Sequence, residues 1–261
     1  MIAAGPDHPI VTRDLDAVLF DVGGVITLPD PVSIGMALAP LGATGTSLDL
    51  VRAHYVAMRA HAGSSAEGRG PWFDYIEAYL ATAGVPPERL DDGWVAFTRV
   101  FGHHCWRFPV IETVTAMERL RELGVPLGVV SNATGQIEGL IGGLGLCQVG
   151  PGGGVPVDVV VDSGVVGVEK PDPAVFAPAL EVMAARGVAP EQTGYVGDSL
   201  RYDVAGARAA GLVPLLLDPY DLYRGLDLGP GAHRIGSVHD LLPPPERPEA
   251  DPVDQLEPEA D

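Results

Sequence analysis

The sequence has almost no lysine: Lys170 is the only one in 261 residues, beside fifteen arginines. Cations of any kind are scarce, 16 lysines and arginines against 35 acids, for a formal charge of −19. Binding that relies on neutralising a phosphate backbone or anionic lipid heads needs the opposite balance, so neither nucleic acid nor a membrane surface is expected as a partner. Cysteine is nearly absent too. Cys105 and Cys147 stand in no CxxC or other metal-ligand spacing, which excludes a disulfide scaffold and a zinc site as expectations. No run of about 18 apolar residues occurs, and the first residues, MIAAGPDHPIVTRDLD, lack a basic start followed by an apolar stretch. A cytoplasmic protein that does not span a membrane is the expectation, and oligomeric state is not legible.

What is present is ample apolar material, 46% of residues with a mean hydropathy of +0.19, enough to bury a core. The length suits one α/β domain, or a core domain carrying a smaller insertion. Buried strands are predicted at 17–20, 126–130, 157–161 and 212–217, with a weaker fifth at 193–196. Most are followed by helical spacing, and Val114, Met117, Leu120 and Leu123 form such a stripe ahead of the second strand. Alternation of this kind predicts a doubly wound parallel sheet.

Between the first two strands lies far more chain than a crossover needs. Apolar residues there recur at helical spacing, as in Val51, Tyr55, Met58 and in Trp72, Tyr75, Ile76, Tyr79, so a small helical bundle is predicted. Trp94, Phe97, Phe101 and Trp106 are expected to fill its core. The expected division is an α/β core of residues 1–27 and 109–242, a helical cap of 28–108, and a disordered tail of 243–261. That tail is proline-rich and carries a net −6, leaving −13 for the rest of the chain.

In an open parallel sheet, ligands bind beyond the carboxyl ends of the strands. Here those exits share a polar character: FDVGGVIT places Asp21 after the first strand, VVSNAT places Ser131 and Asn132, and YVGDSLRYD places Asp198. Lys170 arrives between them in GVEKPDP. Each has an ordinary explanation alone: Asp21 as a turn residue, Ser131, Asn132 or Asp198 as a helix cap, Lys170 as a solvated charge. Their joint placement at one edge is the stronger signal, and a lone ammonium in a lysine-poor chain serves as a point charge for a carboxylate or phosphoryl group.

The order FDVGGV, VVSNA, VGVEKPDP and VGDSLRYDVAGARAAG resembles the haloacid dehalogenase superfamily, over about residues 15–242 and including a helical cap after the first motif. The resemblance implies that Asp21 attacks phosphorus and forms an aspartyl-phosphate, while Ser131 and Lys170 hold the transferred oxygens. It implies Mg2+ on Asp198, on the other oxygen of Asp21 and on the Gly23 carbonyl, with Asp203 supporting the metal directly or through water. Gly24 and Asn132 would line the phosphate pocket, and the helix N-terminus after Asn132 would add donors. A small phosphorylated metabolite is the implied substrate. Physically, a carboxylate can approach a dianionic phosphoryl group only where cations offset the repulsion.

One position departs from that pattern. Phosphatases of the superfamily usually carry a second aspartate two residues after the nucleophile, to protonate the leaving alcohol, and this chain has Gly23. A general acid is typically worth about 10²–10⁴-fold. Three readings follow: a substrate with a good leaving group, such as an anomeric sugar phosphate or an acyl phosphate; a proton supplied by the cap or by the substrate itself, with His54, His61, His103 and His104 as the cap candidates; or a binder that no longer turns over. Those histidines also have the plain reading of polar surface or satisfied interior residues. A dehalogenase is the alternative enzyme, against which Asp198 and Asp203 argue. A phosphonate-cleaving Schiff base would need a second lysine, which the chain lacks.

Overall fold

The computed structural model describes residues 14–63, 72–102 and 105–243. The expected disordered tail and both His103 and His104 lie outside these residues, apart from Pro243 at the tail's first position. In chain order the elements begin with β1 (Ala17–Phe20) and β2 (Thr27–Pro29). Four helices follow, α1 (Pro31–Leu38), α2 (Ser47–Ala62), α3 (Phe73–Thr82) and α4 (Leu90–Val100). The chain returns through β3 (Trp106–Pro109), α5 (Ile111–Glu122), β4 (Leu127–Ser131), α6 (Ile137–Gly143), β5 (Cys147–Val149) and β6 (Val155–Val157). It finishes with β7 (Val159–Asp162), α7 (Ser163–Val166), α8 (Ala177–Ala184), β8 (Thr193–Gly197), a π-helical turn (Leu200–Val204) continuing into α9 (Ala205–Ala209), β9 (Val213–Leu217) and β10 (His233–Ile235).

Six strands form one parallel sheet in the order β10-β9-β8-β1-β4-β7. The first strand lies inside it, with Val18 opposite Leu127 on one side and Ala17 opposite Thr193 on the other. All four of its residues are buried, because alternate side chains enter different cores. Val18 and Phe20 join one core with Met117, Leu120 and Ile141, while Ala17 and Leu19 join another with Phe176, Met183 and Tyr195. A strand covered on both faces loses the polar alternation of a half-exposed one, hence its continuous apolar run.

The sixth strand, β10, was not predicted. It is an edge strand of three residues, His-Arg-Ile, with only Ile235 buried, so it carries no apolar run. Also unpredicted is the antiparallel pairing of β2 with β3, which brings together the two points where the helical insertion leaves and rejoins the sheet. The four inserted helices pack on their own core, with Ile34, Leu38, Ala57, Tyr75, Tyr79, Leu80 and Phe97 essentially inaccessible to solvent. The helix α2 starts with a capping box in which the Thr46 hydroxyl accepts from the Asp49 N–H and the Asp49 carboxylate accepts from the Thr46 N–H. No helix among the described residues is long and apolar enough to cross a membrane.

Candidate active site

Because β1 has a parallel neighbour on each side, the residues leaving β1, β4 and β8 emerge at the same edge of the sheet. Asp21, Ser131 and Asp198 stand there, all buried, and Asp203 joins them from the turn beyond β8. Carboxylate oxygens of Asp21, Asp198 and Asp203 all lie within 4.8 Å of one another.

Lys170 enters this cluster from the loop after α7. Its Nζ is 2.9 Å from Asp21 Oδ1 and 2.8 Å from Asp203 Oδ1, and it donates to the Tyr195 hydroxyl at 2.8 Å. The side chain is 2% exposed. Burial works to depress its ammonium, but Asp203 and then Asp21 outweigh that and hold the pKa above its ordinary value. Asp203 has both oxygens engaged, Oδ1 by Lys170 and Oδ2 by the Ser199 N–H at 2.9 Å. Burial, reinforced by Asp21 and Asp198 and opposed by Lys170, pushes its carboxyl up to about 7. Tyr195, which sequence reasoning passed over, donates to the Val130 carbonyl at 2.8 Å and supports Lys170 from below. Its only signal in the sequence is a polar aromatic within a strand of small and apolar residues.

The structure places Asn132 differently from a pocket-lining residue. Its Oδ1 accepts from the Lys170 N–H at 2.8 Å and its Nδ2 donates to the Lys170 carbonyl at 3.1 Å, so both ends of the amide face the lysine backbone. The donors expected from the helix N-terminus after Asn132 are also committed. Gly135 and Ile137 N–H groups go to Asp162, the Ala133 N–H to Ser163 Oγ, and the Thr134 N–H to Gln136 Oε1. That turn is locked to β7 and α7, which fixes the exit of β4 but uses up the amides.

The Gly23–Gly24 turn forms the floor. Gly24 sits at φ 75°, a conformation that favours glycine, and a Cβ there would come within 2.0 Å of Asp198 Oδ2. A Cβ on Gly23 would meet the Trp106 ring at 3.0 Å. Trp106 was expected in the core of the inserted helices; it leans on Phe101 at 5.7 Å but also lies across Gly23, at the site.

From the inserted helices, His54 on α2 reaches the carboxylates. Its Nε2 is 2.7 Å from Asp198 Oδ2 and its Nδ1 is 2.9 Å from the Tyr75 hydroxyl. Next to it, Tyr55 donates to the Gly24 carbonyl at 2.9 Å. His61 does not join the cluster: its ring stacks on Trp72 and Tyr202, and burial lowers its pKa.

With its three carboxylates ionised, the cluster carries one ammonium and a net of two negative charges in a buried setting. An all-oxygen donor set of that charge fits a hard divalent cation such as Mg2+.

The sequence profile of haloacid dehalogenase-like hydrolases matches residues 15–211, and the chain belongs to that family. It is 34% identical to a phosphoserine phosphatase from Thermus thermophilus over 62% of this chain and 60% of that protein. It is 37% identical to a glyceraldehyde 3-phosphate phosphatase from Methanopyrus kandleri over 53% of this chain and 56% of that protein. The matches thus span less than two thirds of either relative. A solved phosphatase of the family from Thermococcus onnurineus shares the fold with a TM-score of 0.51 and 22% identity, covering 87% of this chain and 96% of that one.

Proposed function

We propose that this chain is a Mg2+-dependent phosphatase of a small phosphorylated metabolite, with Asp21 as nucleophile. The observation that carries the reading is Lys170 Nζ set between Asp21 at 2.9 Å and Asp203 at 2.8 Å, beside Asp198. The two relatives carry the names of phosphatases, which supports the reading.

In this reading an Asp21 oxygen bonds to phosphorus while the bond from phosphorus to the leaving oxygen breaks, and that oxygen departs with the electron pair. Water then attacks the aspartyl-phosphate, releasing phosphate and restoring the carboxylate. Lys170 neutralises the phosphoryl oxygens and keeps Asp21 oriented through the contact at Oδ1, and Ser131 holds a further oxygen. Asp21, Asp198 and the Gly23 carbonyl would hold Mg2+, with Asp203 supporting it and Lys170, and Gly24 leaving the floor open. The metal supplies positive charge against the transferring group. Asn132 acts through Lys170, whose backbone it grips.

The helices between β2 and β3 act as the cap. Closed over the site, they exclude water and choose the substrate, which strengthens every charge interaction around phosphorus. With Gly23 in place of an acid, the substrates that suit the site have good leaving groups, such as anomeric sugar phosphates and acyl phosphates. A cytoplasmic location agrees with two buried, free cysteines.

The test is a screen for phosphate release across phosphorylated metabolites, with and without Mg2+, beside Asp21→Asn. Metal-dependent release lost in Asp21→Asn is expected. No release from a panel containing anomeric and acyl phosphates would overturn the reading, and halide release from 2-haloacids without metal would replace it with a dehalogenase.

A further inference from the structure

The cap touches the carboxylate cluster through one fully buried imidazole, and its surroundings are unusually complete. His54 is 1% exposed and Tyr75, behind it, is wholly buried. The His54 ring meets the rings of Tyr55 at 5.2 Å, Trp106 at 5.4 Å and Tyr75 at 5.9 Å, each edge to face. A carboxylate can only accept, so the His54 Nε2–H donates to Asp198 Oδ2, while Nδ1 is hydrogen-bonded to the Tyr75 hydroxyl, which donates to it when the ring is neutral. Three aromatic faces and two hydrogen bonds leave the imidazole one orientation.

The core is shaped for the same contact. A Cβ on Gly24 would come within 2.7 Å of His54 Nε2 as well as 2.0 Å of Asp198 Oδ2, so the histidine reaches the aspartate only across a residue without a side chain. The contact also depends on α2 lying against the core. Other α2 residues set that position: Tyr55 on the Gly24 carbonyl at 2.9 Å, Arg59 over the Tyr223 ring at 5.1 Å, and His61 on the Tyr202 hydroxyl at 3.1 Å.

We propose that His54 is a cap-borne positioning residue for the metal site, holding Asp198 through Nε2 only while the cap is closed. A partner that fixes a ligand's orientation typically changes metal affinity about 10–100-fold. Because this partner belongs to the cap, cation binding and closure are linked, and each favours the other by the same factor. The inference rests on the metal-dependent reading above but not on turnover.

Mg2+ affinity of the full chain, measured by calorimetry for the wild type, His54→Ala, His54→Gln and Tyr75→Phe, tests it, together with hydrogen exchange of the amides at 47–62. His54→Ala should bind Mg2+ about 10–100-fold more weakly. His54→Gln, which offers an amide N–H near the Nε2 position, should recover most of the loss, and Tyr75→Phe should fall between. Mg2+ should slow exchange in α2 of the wild type and not of His54→Ala. Binding by His54→Ala as tight as the wild type's, or tighter, overturns the proposal, as does a wild type whose α2 exchange ignores Mg2+ or that binds none. Should His54→Ala fail to fold, Tyr75→Phe decides, with unchanged affinity again the overturning result. A chain whose Mg2+ affinity depends on His54 yet that releases no phosphate refutes the phosphatase reading alone. Full phosphatase activity with metal affinity indifferent to His54 refutes this inference alone.

Discussion

Asn132 clasps the backbone of Lys170 from both sides, accepting its N–H at 2.8 Å and donating to its carbonyl at 3.1 Å. These residues lie 38 positions apart, and the clasp ties the exit of β4 to the loop that carries the only lysine. Two such bonds contribute about 1 kcal/mol each to stability. The greater effect falls on Nζ, since a misplacement near 1 Å can cost about 10²-fold in rate. Asn132→Ala is therefore expected to lose about 1–2 kcal/mol in urea unfolding and at least about 10-fold in kcat. Asn132→Asp keeps the acceptor and loses the donor, and should fall between. Unchanged kcat in Asn132→Ala would show that the clasp does not govern the lysine.

Lys170 is the cation that lets three carboxylates share a buried edge. Removing one partner from a buried charge group typically costs about 3–5 kcal/mol, because the remaining charges lose their compensation. Lys170→Met should show that loss in denaturant unfolding together with loss of turnover. Lys170→Arg should not restore turnover, since a planar guanidinium cannot occupy the point at which Asp21, Asp203 and the Tyr195 hydroxyl converge. In Lys170→Met with Asp203→Asn, one surplus charge is gone, so the pair should be less destabilised than the sum of the single changes. Strict additivity would argue that Lys170 and Asp203 do not interact.

The parts of this arrangement that show in the sequence are those set by local pattern. The central strands β1, β4 and β9 carry apolar runs because both faces of the sheet are covered, and Asp21, Ser131 and Asp198 stand at strand ends. Lys170 stood out by being alone. His54, Tyr195 and Trp106 gave no comparable signal, since their roles come from long-range approach. His54 meets Asp198 across 144 positions, and along α2 it has the spacing of any inward-facing residue. Trp106 belongs to a four-residue strand whose partner is β2, and nothing within WRFP distinguishes a ring over Gly23 from one inside a helical core. The amides after Asn132 illustrate the converse: a helix N-terminus is visible in sequence, but Asp162, which takes the Gly135 and Ile137 donors, sits 25 to 27 positions away.

Asp30 predicts a pH effect on stability away from the site. It caps α1 by accepting from the Val32 N–H at 3.0 Å and from Ser33 Oγ, and it pairs with Arg107 at 3.1 Å, joining the entry of the inserted helices to β3. Partial burial works against its ionisation, but the Ser33 and Val32 hydrogen bonds and then Arg107 prevail, and its pKa lies below the ordinary 3.8. A carboxylate depressed on folding contributes stability that is complete above its unfolded pKa and vanishes as pH falls through the folded one. Asp30→Ala should cost about 1 kcal/mol at pH 7. The gap from wild type should narrow below pH 3.8, as the carboxyl protonates. Asp30→Asn, still a competent cap, should lose less at pH 7. Urea unfolding at pH 7 and pH 3 measures both, and a gap that widens on acidification would contradict the assignment.

Gly23 and Trp106 together explain why adding the aspartate usual at position 23 is not a simple gain. A Cβ on Gly23 would stand 3.0 Å from the Trp106 ring, closer than ordinary van der Waals contact, and a whole carboxymethyl group must displace that ring or be turned from the site. Trp106 also packs edge to face on His54 at 5.4 Å, so moving it disturbs the imidazole on Asp198. Gly23→Asp alone should therefore be destabilised by about 1–3 kcal/mol and should not speed hydrolysis of alkyl phosphates. Pairing it with Trp106→Ala opens the space the carboxyl group needs. The double variant should hydrolyse alkyl phosphates faster than Trp106→Ala alone, up to the factor of about 10²–10⁴ that a positioned acid supplies. For substrates with good leaving groups the two should differ little, because departure there needs no proton. Steady-state kcat on an alkyl phosphate and an acyl phosphate separates these cases. A Gly23→Asp single variant that is fully stable and faster on alkyl phosphates would show that Trp106 does not occupy the acid's place.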